Sequence, residues 1–270
     1  MAQTDQPAEP FAGETEDYRK AMRYLYDRID YERLAARATT RYPFRLQRVT
    51  ELLCELGLQP YLAAETARPK VPLVHIAGTK GKGSVAAMVA ASLTACGLRT
   101  GLYTSPHLHR LEERFRIDGQ SCQPAELVSL VTRVEEAGKT VERVSGPASF
   151  FELTTALALL HFDRSNCDAL VIEVGLGGRL DSTNVVAPSV SVVTSIGLDH
   201  QHVLGHDLPS IAYEKAGIIK PGIPVVSGVA DRSAVEVIEA KARDSDAPLF
   251  AIGRDFDFRC RPLSDWGSLV

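Results

Sequence analysis

One strand-to-helix junction constrains this chain more than any other feature. Val71-Pro72-Leu73-Val74-His75-Ile76-Ala77 reads as a buried strand, and it runs straight into Gly78-Thr79-Lys80-Gly81-Lys82-Gly83-Ser84. An Ala-rich helix continues from Ser84 to Ala95 and closes at Gly97. Strand, glycine turn, helix is the arrangement in which backbone N–H groups and a helix N-terminus face a phosphate. Glycines let the backbone come close to phosphate oxygens. Lys82 supplies a compact positive charge for β and γ phosphates, and Ser84 a hydroxyl for the magnesium ion that accompanies ATP. Gly83 stands between Lys82 and Ser84, so the loop is a variant of G-x-x-x-x-G-K-[ST]. The competing reading is a Gly/Lys-rich surface turn, and the flanking strand and helix argue against it.

The same alternation runs along the chain. Predicted strands are Thr100–Thr104, Ala169–Glu173, Ser189–Ser195, Ile223–Ser227 and Leu249–Ile252. Predicted helices are Ala125–Ala137 after Pro124, Ser149 to Leu160 with capping-box spacing to Glu152, Pro209–Ala216 and Ser233–Arg243. Tyr18–Leu34 and Phe44–Leu56 add two helices ahead of the first strand. The pattern predicts an α/β fold: a P-loop-type, mostly parallel sheet with helices on both faces, and ligands at the carboxyl ends of the strands. Residues 1–14 read as a loose tail and 15–270 as one domain, with the helices of 15–60 packed on it. Gly138 reads as a helix C-cap. Gly138-Lys139-Thr140 follows a helix and not a strand, so it is no second phosphate loop. Gly81-x-Gly83-x-x-Ala86 fits a dinucleotide fingerprint, but Leu102–Ser105 holds no acidic ribose partner.

Composition narrows the classes. The 270 residues are 45% hydrophobic and 24% charged, with a formal net charge of -4. That excludes disorder and leaves no polyanion footprint, so nucleic acid is not an expected partner. Five cysteines, widely spaced and without a CxxC pair, fit a reducing compartment. The longest apolar stretch, Val85–Leu98, contains Ser92 and Thr94 and is too short for a bilayer. A cytoplasmic protein without membrane partners is expected.

Several further residues sit where chemistry is expected. Glu173 ends a strand beside Gly175-Leu176-Gly177-Gly178-Arg179-Leu180-Asp181, where it either reaches a metal on the nucleotide or points to water. Asp199-His200 follows another strand. His200-x-His202-x-x-x-His206 looks like a zinc cluster, but a structural or solvent-facing role fits His202 and His206 better. Lys215, in Glu214-Lys215-Ala216-Gly217, reads by spacing alone as a solvated helix lysine.

Together these motifs resemble the folylpolyglutamate synthase/dihydrofolate synthase group of the Mur ligase superfamily. The resemblance rests on Gly78–Ser84, Thr104-Ser105-Pro106-His107-Leu108, Glu113–Gly119, Ser149-Phe150-Phe151-Glu152, Glu173–Asn184, Gly197-Leu198-Asp199-His200 and Glu214–Lys220, in that order. It covers about residues 18 to 258. It implies an ATP- and Mg²⁺-dependent ligase: the γ-phosphate passes to a folate or dihydropteroate carboxylate, and the amine of L-glutamate attacks the acyl phosphate. By motif matching, Ser84, Glu173 and His200 are metal ligands, and Lys215 is the lysine that is carbamylated in the family and joins them. Lys82, His200 and Lys215 are the catalytic candidates. Ser149, Phe151 and Asp181 map to the pteroate pocket, Phe151 alternatively being a core aromatic. His107 and Glu113 match positions near the reaction centre, and Arg114 alternatively serves as a salt-bridge partner.

The resemblance also implies a C-terminal glutamate-ligase domain, for which residues up to Val270 leave no room. The expectation is therefore a monomeric ATP-binding domain with a formed phosphate site and weak or absent turnover. Another Mur-type amide ligase, a silent nucleotide-binding module, half of a split enzyme and a generic P-loop NTPase stay open as alternatives.

Overall fold

Six parallel strands and a short antiparallel edge build the frame. In this computed structural model, which describes residues 15–29, 46–63 and 69–258 and the backbone of a small strand pair at 261–262 and 268–269, the strands are β1 (Leu73–Ala77), β2 (Thr100–Tyr103), β3 (Phe115–Ile117), β4 (Gln120–Ser121), β5 (Ala169–Glu173), β6 (Val190–Val193), β7 (Val225–Ser227) and β8 (Leu249–Ala251). They form one sheet in the order β4-β3-β2-β5-β1-β6-β7-β8. Only the β2–β3 and β3–β4 pairs are antiparallel. The expected mostly parallel sheet is present, with the strand feeding the glycine loop deep inside it, between β5 and β6.

Side chains alternate across a strand, so each strand serves both faces. Ile76, Leu102, Val171 and Val192 pack under α3 (Lys82–Ala95) on one face. On the other face, Leu73, Leu170 and Ile172 meet α5 (Phe150–Arg164). Every residue of α5 from Phe150 to Phe162 is buried. A helix apolar all round needs cover on both sides. The sheet supplies one, and α1 (Glu16–Tyr26), α2 (Leu46–Glu55) and α4 (Pro124–Ser145) supply the other. A second apolar group joins Val193 and Val225 to α7 (Leu208–Ala216) and α8 (Arg232–Asp244). The short helix α6 (Gln201–Leu204) precedes α7.

Between these two groups the same face of the sheet is polar. His75 of β1 and Ser191 of β6 are register neighbours, and neither is exposed. Ser191 Oγ donates to Ile218 O at 3.0 Å. Thr183 donates its one hydroxyl proton to Asp181 Oδ1 at 2.5 Å, so its oxygen accepts from His75 Nε2–H at 2.8 Å. That tautomer leaves His75 Nδ1 buried without a partner, and burial pushes the imidazole down to about 3.

Two expectations need correction. The first helix ends at Tyr26, with Asp27 as its C-cap, and does not run on through 27–29. Its predicted end at Leu34, and the tail at 1–14, lie outside the described residues. Gly138 is not a C-cap: α4 runs on to Ser145 and is capped by Gly146 at φ +78°. Gly138 sits inside the helix because a Cβ there would come 3.1 Å from the Tyr24 hydroxyl, so the small residue admits α1. Among the described residues, no helix is long and apolar enough to cross a membrane.

Candidate active site

The carboxyl ends of β5, β1 and β6 converge on the glycine loop. Gly78 leaves β1 at φ +151°, and a Cβ there would lie 1.9 Å from Thr194 Oγ1. The loop is held against the end of β6. Thr79 N–H donates to Ser195 O at 2.8 Å, and Lys80 N–H to Ser195 Oγ at 3.0 Å. Thr194 Oγ1–H is 2.7 Å from Lys80 O, and Thr79 Oγ1 accepts from Gly197 N–H at 3.0 Å. Gly81 then turns through the left-handed region and N-caps α3 without a side-chain hydrogen bond. The first-turn amides of α3 thus meet no capping side chain, and the helix dipole adds partial positive charge there. An anion is the natural occupant.

Glu173 closes β5 on this loop. Its carboxylate is buried and accepts Ser105 N–H at 3.1 Å. Its oxygens lie 3.5 and 3.6 Å from where a Cβ of Gly83 would stand, so the inserted glycine brings the carboxylate onto the first turn of α3. The alternative of a water-facing loop carboxylate does not hold. Lys215 comes from the other side. It is only 3% exposed, and its Nζ donates to Gly78 O at 3.1 Å. Burial, and then the charge of Lys82, press its ammonium down to about 8, against the pull of Asp199 and Asp181. A solvated lysine is therefore the wrong picture, and a neutral amine is accessible near neutral pH.

His200 N-caps α6 at φ +47°, and its own N–H donates to Asp199 Oδ1 at 2.9 Å. Burial and the nearby Lys215, His202 and Lys82 charges lower its imidazole, outweighing Asp199. Lys80 Nζ reaches Asp199 at 3.8 Å in an exposed pair that contributes little to stability.

A model of the Mur ligase middle domain matches residues 76–254. The chain belongs to the Mur ligase family. Its curated relatives are folylpolyglutamate synthases: that of Lacticaseibacillus casei is 43% identical over 196 residues, covering 72% of this chain and 46% of the relative. The dihydrofolate synthase/folylpolyglutamate synthase of Bacillus subtilis is 40% identical over 197 residues, with the same two shares. A solved FPGS–AMPPCP–folate complex superposes with a TM-score of 0.81 at 36% identity, covering 93% of this chain and 58% of that one. The chain spans about half the length of the curated relatives it matches.

The three residues mapped to the pteroate side are placed differently from the phosphate group. Ser149 N-caps α5: its Oγ accepts Glu152 N–H at 3.3 Å and donates to Glu152 Oε2 at 2.7 Å. Arg48 clamps the same carboxylate, with Nη2 at 2.7 Å from Oε2. Phe151 is buried with its ring 6.0 Å from that of Tyr103, two residues before Ser105. Asp181 accepts Leu176 N–H at 2.8 Å and Thr183 N–H at 2.9 Å, and so shapes the second glycine loop of this Mur ligase domain. That loop packs on α7: a Cβ on Gly178 would meet Glu214 O at 2.7 Å. Glu113 gathers the N–H groups of Leu108, His109 and Arg110 at 2.8–2.9 Å, which holds its carboxyl at about 2. Arg114 is not simply an ion-pair partner: its Nε–H donates to His107 Nδ1 at 2.9 Å and its guanidinium lies over the Phe150 ring.

Sequence reasoning missed Thr194 and Ser195, whose hydroxyls lock the glycine loop. The available signal was a Thr-Ser pair directly after the strand that neighbours β1.

Proposed function

We propose that this chain carries the nucleotide half of an ATP-dependent ligase that joins L-glutamate to the carboxylate of a folate or of dihydropteroate. The observation that carries the reading is the convergence of Lys82 and the uncapped N-terminus of α3 with a buried carboxylate, Glu173, and a buried lysine, Lys215. Gly78, Thr79, Lys80, Gly81, Lys82, Gly83 and Ser84 cradle the phosphates of ATP. In-line phosphoryl transfer depends on positioning and charge neutralisation, and loop amides and Lys82 supply both. The acceptor carboxylate takes the γ-phosphate, the amine of glutamate attacks the acyl carbon, and phosphate departs.

The donor set suits Mg²⁺, which favours oxygen ligands. Ser84 and Glu173 would hold it, with His200 as a further ligand, and it would neutralise charge on the phosphates. Lys215 would be carbamylated: its neutral amine attacks carbon dioxide, one C=O bond opens to a carboxylate oxygen as the nitrogen loses a proton, and the carbamate would offer that oxygen as a ligand. Ser149, Phe151 and Asp181 are assigned to the wall that receives the pterin ring, with Phe151 as its flat apolar surface. A cytoplasmic location agrees with free thiols at Cys54, Cys96, Cys122 and Cys167.

The test is calorimetric titration of the chain with AMPPCP and Mg²⁺, beside Lys82→Ala and Glu173→Gln. Expected are binding by the wild type and at least about tenfold weaker binding by each variant, the loss of one charge-assisted contact. ADP release that proceeds equally with no carboxylate substrate present would refute the ligase reading in favour of a simple NTPase.

A further inference from the structure

At the edge of the sheet farthest from β8, three side chains converge that the ligase chemistry leaves unused. Cys122 follows β4, anchored by its N–H to Phe115 O at 2.8 Å. Glu126 is the third residue of α4, and His161 lies in the last turn of α5. The sulfur, one carboxylate oxygen and the imidazole Nδ1 all lie within 4.8 Å of one another. His161 Nδ1 and Glu126 Oε1 are 3.0 Å apart. Cys122 and His161 are both more than nine-tenths buried, while the Glu126 side chain is 42% exposed.

We propose that Cys122, Glu126 and His161 form a transition-metal site of the zinc class, with three protein donors and one water on the open side. The donor chemistry is that of Zn²⁺ and its neighbours: one thiolate, one imidazole and one carboxylate. Zinc bond lengths place donor pairs roughly 3.3–3.6 Å apart, so closure from the present spacing takes about an ångström of side-chain movement. Thiolate and carboxylate together balance the dication, which offsets its desolvation. Burial keeps His161 in the neutral form a metal requires, against the pull of Glu126, with Arg99 adding to the lowering. The same burial, reinforced by Glu126 and Glu112, holds the Cys122 thiol up at about 12. Binding therefore breaks the S–H bond, forms the metal–sulfur bond and releases one proton to solvent, while the His161 ring proton moves from Nδ1, where it faces Glu126, to Nε2 so that Nδ1 can ligate. Glu126 is the way in and leaves room for the fourth, water ligand. The bound ion would pin the edge strand β4 and the start of α4 to the end of α5.

The test uses cobalt as a spectroscopic probe on chelator-treated protein. One equivalent of Co²⁺ is expected to give a sulfur-to-cobalt charge-transfer band and tetrahedral visible bands, both removed by stoichiometric Zn²⁺. Cys122→Ser is expected to abolish the charge-transfer band. Glu126→Gln, on an exposed helix position, is expected to keep the band and weaken binding at least about tenfold, and it carries the test if the cysteine variant fails to fold. Cobalt bound without a thiolate band, as oxygen and imidazole ligands near Glu173 and His200 would give, overturns the proposal. So does an affinity that Glu126→Gln leaves unchanged, or no binding at all.

Discussion

Gly78→Ala tests how tightly the glycine loop is bound to β6. The new Cβ would stand 1.9 Å from Thr194 Oγ1 and 3.1 Å from Thr194 Cβ, so Thr194 must rotate or move. Its single hydroxyl proton then loses Lys80 O at 2.7 Å, with Ala77 O a more distant acceptor at 3.3 Å. One such bond is worth about 1 kcal/mol. An alanine at φ +151° adds strain of about 1–3 kcal/mol. The expected cost is roughly 2–4 kcal/mol, a large share of the ~5–15 kcal/mol that holds a typical domain together. Thr194→Ala removes the hydroxyl in advance and itself costs about 1 kcal/mol. In that background Gly78→Ala should cost only the strain, about 1–3 kcal/mol. Urea unfolding of the four proteins, followed by far-UV circular dichroism, closes the double-mutant cycle. A coupling of about 1 kcal/mol is expected. Full additivity, or a Gly78→Ala cost below about 1 kcal/mol, would refute the reasoning.

Gly83→Ala should behave oppositely: its Cβ meets Glu173 only at van der Waals distance, so stability should stay within about 0.5 kcal/mol by thermal melting. Below pH 6.5 the unfolded chain takes up a proton that buried His75 refuses down to about 3, so stability falls with acid. The share due to His75 rises from about 0.7 kcal/mol per pH unit at pH 6.5 towards about 1.4 near pH 5, and His75→Gln should flatten the stability–pH curve by about 1 kcal/mol per unit across that window. Glu152→Ala strips Arg48 of its carboxylate and Ser149 of its capping partner, at a cost of roughly 3–5 kcal/mol readable from denaturant midpoints.

The strand–glycine loop–helix junction was legible because its information is local: strand, glycines and helix follow one another within one stretch. The Ser149–Glu152 box was legible for the same reason, with partners three residues apart. Lys215 was opaque to spacing, since what distinguishes it is a carbonyl 137 residues away and the burial around it. Gly138 was misread because its reason lies on another helix. The usual penalty of about 1 kcal/mol for a mid-helix glycine is outweighed there by the close approach of Tyr24. Thr194 and Ser195 were missed because their partners lie across the sheet on β1's loop.

The polar column along β1 has a mechanical consequence. The apolar group around Leu73, Leu170 and α5 and the one around Val193, Val225 and α7 are separate, with only Ala77, Val174 and Ile218 as a small cluster of their own. On this face strand ladders and a few buried hydrogen bonds stitch the two flanks along that line, and the apolar cluster under α3 bridges it only on the opposite face, which makes it a seam of the domain. The glycine loop and Lys215 meet there from opposite flanks, so an occupant held by both would be a rivet through the seam. Filling the site should slow amide exchange in β6–β8, α7 and α8 more than in α4 and α5.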